Sequence, residues 1–160
     1  VKAMKQVAGT LRLDLASYRE KQAFSQFGSD LDATTQYQLN HGAHMMELLK
    51  QPRYSALDVV DQICAIFAAK ENFIDDIDLE NVALFRDSLA QYLSEYHPQL
   101  RNSLRSGKIS EDQANRLRDH IKNFKVKFVE EHPNKIVDDA EINTDTPGSF
   151  DAVTQGSLQE

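Results

Sequence analysis

The sequence predicts an all-α fold: a bundle of five to seven helices with short connections, followed by a disordered acidic tail. Three observations carry this. Apolar residues recur at steps of three and four along most of residues 1–130. No stretch shows a convincing period of two, and no internal repeat is present. After Pro133, large apolar residues become few, and Asp, Glu, Thr, Ser, Gly and Gln dominate, so the segment buries too little to offset its ordering entropy. The 160 residues suit one domain, 1–130, with 131–160 as a tail. A domain of this size buries roughly 70% of the surface its unfolded chain exposes, enough for a core without staples.

The elements follow in order. Val1, Met4, Val7, Leu11, Leu15 and Tyr18 form one apolar face, predicting a helix to about Phe24. Gly9 weakens it by up to about 1 kcal/mol relative to Ala, which suggests that a close neighbour packs there. The run Gln26–Asp32 breaks the period, with Gly28 as a C-cap and Asp32 as the next N-cap. A second helix is expected over 33–50, with Leu39, Met46 and Leu49 apolar and Pro52 as its stop. Ser55 and Asp58 read as a capping box for a third helix, Ala56 to about Ala69. Leu57, Val60, Ile63, Cys64, Ile66 and Phe67 make it the most apolar element and the expected centre of the core.

Asp78 is placed to cap a fourth helix, with Val82, Phe85, Leu89, Tyr92 and Tyr96 on its apolar face. Pro98 interrupts it, and a shorter helix continues to Ser106 with Gly107 as its C′ residue. Ser110 and Gln113 form a second capping box. The last helix follows, with Ala114, Leu117, Ile121, Phe124 and Phe128 at steps of three and four.

Composition excludes several classes of function. Of the net charge of −7, all lies in the tail: from Glu130 to Glu160 eight acids stand against one base, Lys135. Residues 1–129 hold 17 acids and 17 bases. With no basic stripe, a nucleic-acid partner is not expected. No apolar run of 18 residues exists, so no direct membrane insertion is expected. No signal peptide is recognisable, and the chain opens at Val1 inside a helical pattern, which reads as a piece of a longer protein. The single cysteine, Cys64, lies in an apolar run and reads as a small buried hydrophobe, not a nucleophile.

Motifs for chemistry are missing. None of the six glycines falls in a phosphate loop or a dinucleotide fingerprint. His41 and His44 lie three apart, but zinc needs two further ligands, so both read as surface or interface histidines and no metal site is expected. Asp75, Asp76, Asp78 and Glu80 lack the glycine and the terminal glutamate of a calcium loop. Carboxylates favoured by a helix dipole explain them more simply. No nucleophile signature surrounds the serines, so no catalytic residue is expected. A helical domain without a site of its own supplies an interface, and the loop residues Gln51, Arg53 and Tyr54 are the candidates for contact.

Four segments carry a resemblance. "KAMKQVAGTLRLDLASYRE" (Lys2–Glu20), "AFSQFGSDLDATTQ" (Ala23–Gln36), "LLKQPRYS" (Leu48–Ser55) and "GKISED" (Gly107–Asp112) closely resemble the C-terminal domain of the alpha subunit of F-type ATP synthase. The resemblance is collinear over about residues 1–129; the sequence after Val129 looks unlike the usual family end. It implies a helical domain following a P-loop domain, so the phosphate, magnesium and arginine-finger residues would lie upstream. ATP or ADP with magnesium would be the cofactor of the full subunit, and none would be bound by this piece alone.

The resemblance also implies roles and partners. Gln51 matches a glutamine that reaches the adenine of alpha's own non-catalytic nucleotide site. Arg53 stands where the family usually has a second glutamine; arginine has donors only, though it can stack on a base. Tyr54 belongs to the same adenine side. Phe24, Phe27, Gly28, Ser29, Asp30 and Asp32 resemble the loop facing the central stalk and neighbouring subunits, with Asp32 equally readable as a helix cap. The implied partners are the ATP synthase beta subunit and the central-stalk gamma subunit. The implied reaction is ATP synthesis coupled to proton movement, within a peripheral complex on the cytoplasmic, matrix or stromal face of the energy-transducing membrane. The alternative is a non-enzymatic helical adaptor, and upstream coding sequence for a P-loop domain would discriminate the two.

Overall fold

The core grows outward from one helix. The computed structural model describes residues 1–28, 30–51 and 56–134; the expected tail after 134 lies outside them. Helices α1 (Lys2–Val7), α2 (Leu11–Ser25), α3 (Ala33–Leu49) and α4 (Val59–Lys70) come first. A 3-10 turn (Leu79–Asn81), α5 (Val82–Tyr96), α6 (Pro98–Ser103) and α7 (Glu111–Glu131) follow, and no strand occurs among the described residues. The all-α bundle is therefore as the apolar periods predict.

α4 is the central element. Val60, Ile63, Cys64, Ala65, Ile66, Phe67, Ala68 and Ala69 are all buried, and α1, α3, α5 and α7 pack around it. From Ile63 to Ala69 the helix is apolar on every side and has no solvent face to offer, so that stretch must lie inside. Burial pushes the Cys64 thiol up to about 12, which keeps it protonated and inert, as its apolar setting predicts. Against α4, Phe85 of α5 meets Phe124 and Phe128 of α7 with ring centroids 5.3 and 5.2 Å apart. The second contact is edge-on, the geometry favoured by the ring quadrupoles.

Several boundaries depart from the sequence reading. The first apolar face makes two helices, not one, broken at Ala8–Thr10. No neighbour packs on Gly9: a Cβ there would meet only the carbonyl oxygens of Lys5 and Gln6. Its cost is a local break in the helix, not a close approach. Neither Gly28 nor Gly107 has positive φ, and the caps are Gln26 and Leu104 instead. The left-handed residue is Asn72, φ 61°, after α4. There Phe73 N–H donates to Ala68 O and Asn72 N–H to Ala69 O, a Schellman closure with asparagine in the usual glycine place.

Asp58 is itself the N-cap of α4, accepting from Val60 N–H at 2.8 Å. It is not the third residue of a capping box led by Ser55, which lies outside the described residues. Asp78 precedes the 3-10 turn, and α5 starts after Asn81. The apolar face of α3 is His44, Met45 and Leu48, rotated from the expected Leu39, Met46 and Leu49, which are half-buried. On α5, Tyr92 is half-buried and Tyr96 exposed, because Arg86 and Leu93 take the inner positions. The Ser110–Gln113 box is present with both of its bonds, and Asp32 caps α3 through Thr35 N–H at 3.3 Å.

Candidate functional site

Gln51 sits at the C-terminal end of α3, exposed, beside a cleft floored by Leu48, Leu49, Leu57, Ala65 and Ile66. Gln62 and Arg86 complete its lining. The cavity is about 30 Å³, too small to enclose a purine. Arg53 and Tyr54, the other candidates for the adenine side, lie outside the described residues.

Hydrogen bonds brace the end of α3 beside Gln51. A helix ends with carbonyl oxygens that have no partner within the helix. Arg86, only 4% exposed, fills that need: its Nη1 donates to Leu48 O at 3.1 Å and to Lys50 O. Its Nε donates to Asp87 at 2.7 Å. A buried guanidinium is stable only when its donors are spent this way. On the opposite side, Gln62 Nε2 donates to Leu57 O at 2.8 Å. The start of α4 is anchored from α6 and the turn after it: Arg101 of α6 grips Asp61 through two 3.0 Å bonds, and Arg105 beyond it donates to Asp58 at 2.7 Å. Arg105 and the Val60 N–H hold the Asp58 carboxyl below its ordinary range.

Sequence reasoning missed Arg86 and Gln62. A signal for Arg86 existed: Val82, Arg86, Leu89 and Leu93 run at steps of four, three and four, placing the arginine on the inner face of α5. Gln62 had none, because its partner is a carbonyl of the preceding loop.

The second expected site lies far along the chain. Phe24 and Phe27 are 69% and 90% exposed at the tip between α2 and α3. Gly28, Asp30 and Asp32 are exposed beside them, and Ser29 lies outside the described residues. The Asp32 cap is present, and the hydrogen bond from Thr35 holds its carboxyl below the ordinary value.

Two further expectations need correction. His44 is not a surface residue but 5% exposed, with ring nitrogens against Asn40 O and Ile77 O. Asp75 and Asp76 answer to side chains, not to a helix dipole. Asp75 accepts from Tyr37 and pairs with His41, and Asp76 takes Lys125. No group of three metal-binding side chains occurs among the described residues.

The family model of the ATP synthase alpha/beta chain, C terminal domain, matches residues 1–124. That family is part of the catalytic sector of ATP synthase, a peripheral membrane complex, so other ATP synthase subunits are this domain's partners. Among the described residues no helix is long and apolar enough to cross a membrane. With more than three quarters of its length matched and its helices in place, this protein belongs to the family of C-terminal domains of the ATP synthase alpha and beta subunits.

Proposed function

We propose that this chain is the C-terminal domain of the alpha subunit, with residues 1–130 as the domain proper. In this reading it contributes the adenine side of the non-catalytic ATP site and packs against beta and the central-stalk gamma subunit. It serves proton-coupled ATP synthesis without a catalytic residue of its own, on the cytoplasmic, matrix or stromal face of the membrane. One observation carries the reading: Gln51, the residue matching the alpha-subunit "KQPRYS" segment, stands exposed at the lip of a cleft stiffened by Arg86. An amide there offers both a donor and an acceptor to an adenine edge. The exposed Phe24 and Phe27 suit the role given to the tip, because apolar rings left in water gain by being covered.

The test uses the full subunit in an assembled ATP synthase head. Gln51→Ala lowers retention of ATP at the non-catalytic site about tenfold, the loss expected for one hydrogen bond worth about 1.4 kcal/mol. Retention unchanged by Gln51→Ala, with loss instead at the catalytic sites, would place the chain in a beta subunit. The 160-residue chain alone should not hydrolyse ATP, because no phosphate loop occurs in it.

A further inference from the structure

None of the described residues from Ala8 to His41 is buried. α2 has no buried residue at all, and it packs mainly on α3. The two helices are knit to each other where the Tyr18 ring lies against Gly42, leaving no room for a Cβ. Together, α2 and the first half of α3 form an arm that projects from the core and carries Phe24 and Phe27 at its tip.

Leu11 and Leu15 at the base of α2 pack half-buried against the core, and a polar seam adds to them. Tyr37, Asn40, His41 and His44 recur at steps of three, one and three, one face of α3. All four reach the turn after α4. Tyr37 Oη donates to Asp75 Oδ2 at 2.9 Å, and Asn40 Nδ2 to Asp75 O at 3.0 Å. His41 Nδ1 meets Asp75 Oδ1 at 2.7 Å. His44 Nε2 meets Ile77 O at 2.7 Å, while its Nδ1 meets Asn40 O, also at 2.7 Å.

We propose that this polar seam is a proton-dependent latch: the protonated His41 imidazole docks the arm on Asp75 of the turn after α4, and loss of that proton frees it. The position of Phe24 and Phe27 then follows pH.

Other charged and titratable groups surround the seam. α2 brings Asp14, Tyr18 and Lys21, and the end of α4 brings Lys70; these line a cavity of about 230 Å³ with Tyr37 and His41. The 3-10 turn, which also packs on α3, brings Asp78 and Glu80. Arg86 of α5 is spent on the far end of α3. Their effect on His41 is favourable in sum. The hydrogen bond to Asp75 raises its pKa above the ordinary 6.5, burial opposes this, and Asp75 and Asp14 add their charges. Burial raises the Asp75 carboxyl, but its bonds to His41 and Tyr37 outweigh that and leave it below the ordinary 3.8.

The signs follow. The His41 contribution is complete below its unfolded value and is lost as pH rises through the raised folded value. The Asp75 contribution is present above its unfolded value and is lost only as pH falls through the lowered folded one. The latch therefore holds at mildly acidic pH and opens on the alkaline side.

Hydrogen exchange on the 160-residue chain, corrected for intrinsic rates, tests this. Between pH 6 and pH 8.5, amides of residues 33–41 should lose protection by about threefold to tenfold, the range of a half-exposed ion pair. Amides of α5 and α7 should hold. His41→Gln keeps a hydrogen bond to Asp75 but cannot titrate, so its profile should be flat, whereas Tyr37→Phe should keep the pH dependence. Equal loss in His41→Gln, or a flat profile in the unmodified chain, overturns the proposal. NMR titration of the unmodified chain gives a check that needs no variant. The His41 ring must titrate at the same pH as the arm opens, and separate midpoints would also overturn it.

Discussion

The arm and the body of this domain are built from different forces. The body, α4 to α7, rests on buried apolar area, with Phe85, Ile63, Leu117 and Ile121 fully enclosed. The arm, from Ala8 to His41, has no enclosed side chain among its described residues; it is fastened by the half-buried Leu11 and Leu15, by hydrogen bonds and by one imidazole–carboxylate pair. Apolar burial does not depend on pH or partners, whereas half-exposed polar contacts respond to both. The body thus holds the enclosed core, and the arm is the part whose attachment responds to its surroundings. This division also gives the exposed rings of Phe24 and Phe27 a reason: they sit at the end of the arm, where a partner would meet them.

The largest effect that sharpens the comparison is loss of core volume. Phe85→Ala should cost about 3–5 kcal/mol, read as a shift in the urea midpoint. Leu13→Ala, on an arm residue 72% exposed, should stay within about 0.5 kcal/mol. Similar costs for both would show that the arm has a core after all. Next comes the joint between the regions. In Gly42→Ala the new Cβ would lie 2.8 Å or less from the Cβ and ring of Tyr18, atoms that cannot simply swing aside. It should cost about 1–3 kcal/mol despite better helix propensity, with the loss in amide protection confined to α2 and α3. Adding Tyr18→Ala should recover most of it in a double-mutant cycle. The smallest effect belongs to the body's surface. Ser110→Ala removes the cap of α7 and should cost about 1 kcal/mol, seen as fraying of its first turn without change in the arm.

The bundle was legible because α4, α5 and α7 bury strong apolar periods, and these are local patterns. Ser110–Gln113 and Asp32 were legible as caps for the same reason: their partners lie three residues away. The cap at Asn72 was not, because an asparagine in the left-handed region looks like any loop asparagine until Phe73 turns back to Ala68. The rotated face of α3 was missed because His44 is drawn inward by Ile77 O, 33 residues away. At the candidate site, Gln51 was singled out through its segment, while Arg86 was hidden. A charged residue on an apolar face reads as an outlier until helix-end carbonyls are placed against it.

The sequence by itself determined the helical class, the position of the most buried helix, the inert cysteine and the family to which the chain belongs. Each is encoded in spacing, composition or collinear segments, which need no knowledge of what lies across the molecule. Only the tertiary structure decided that Arg86 braces the wall beside Gln51, that His44 is buried, and that Asp75 fastens an arm. These depend on which groups separated by 30 to 40 residues come within hydrogen-bond reach. Such pairing is set by how the helices dock, because a polar side chain brought inside must find its partner wherever packing has put one.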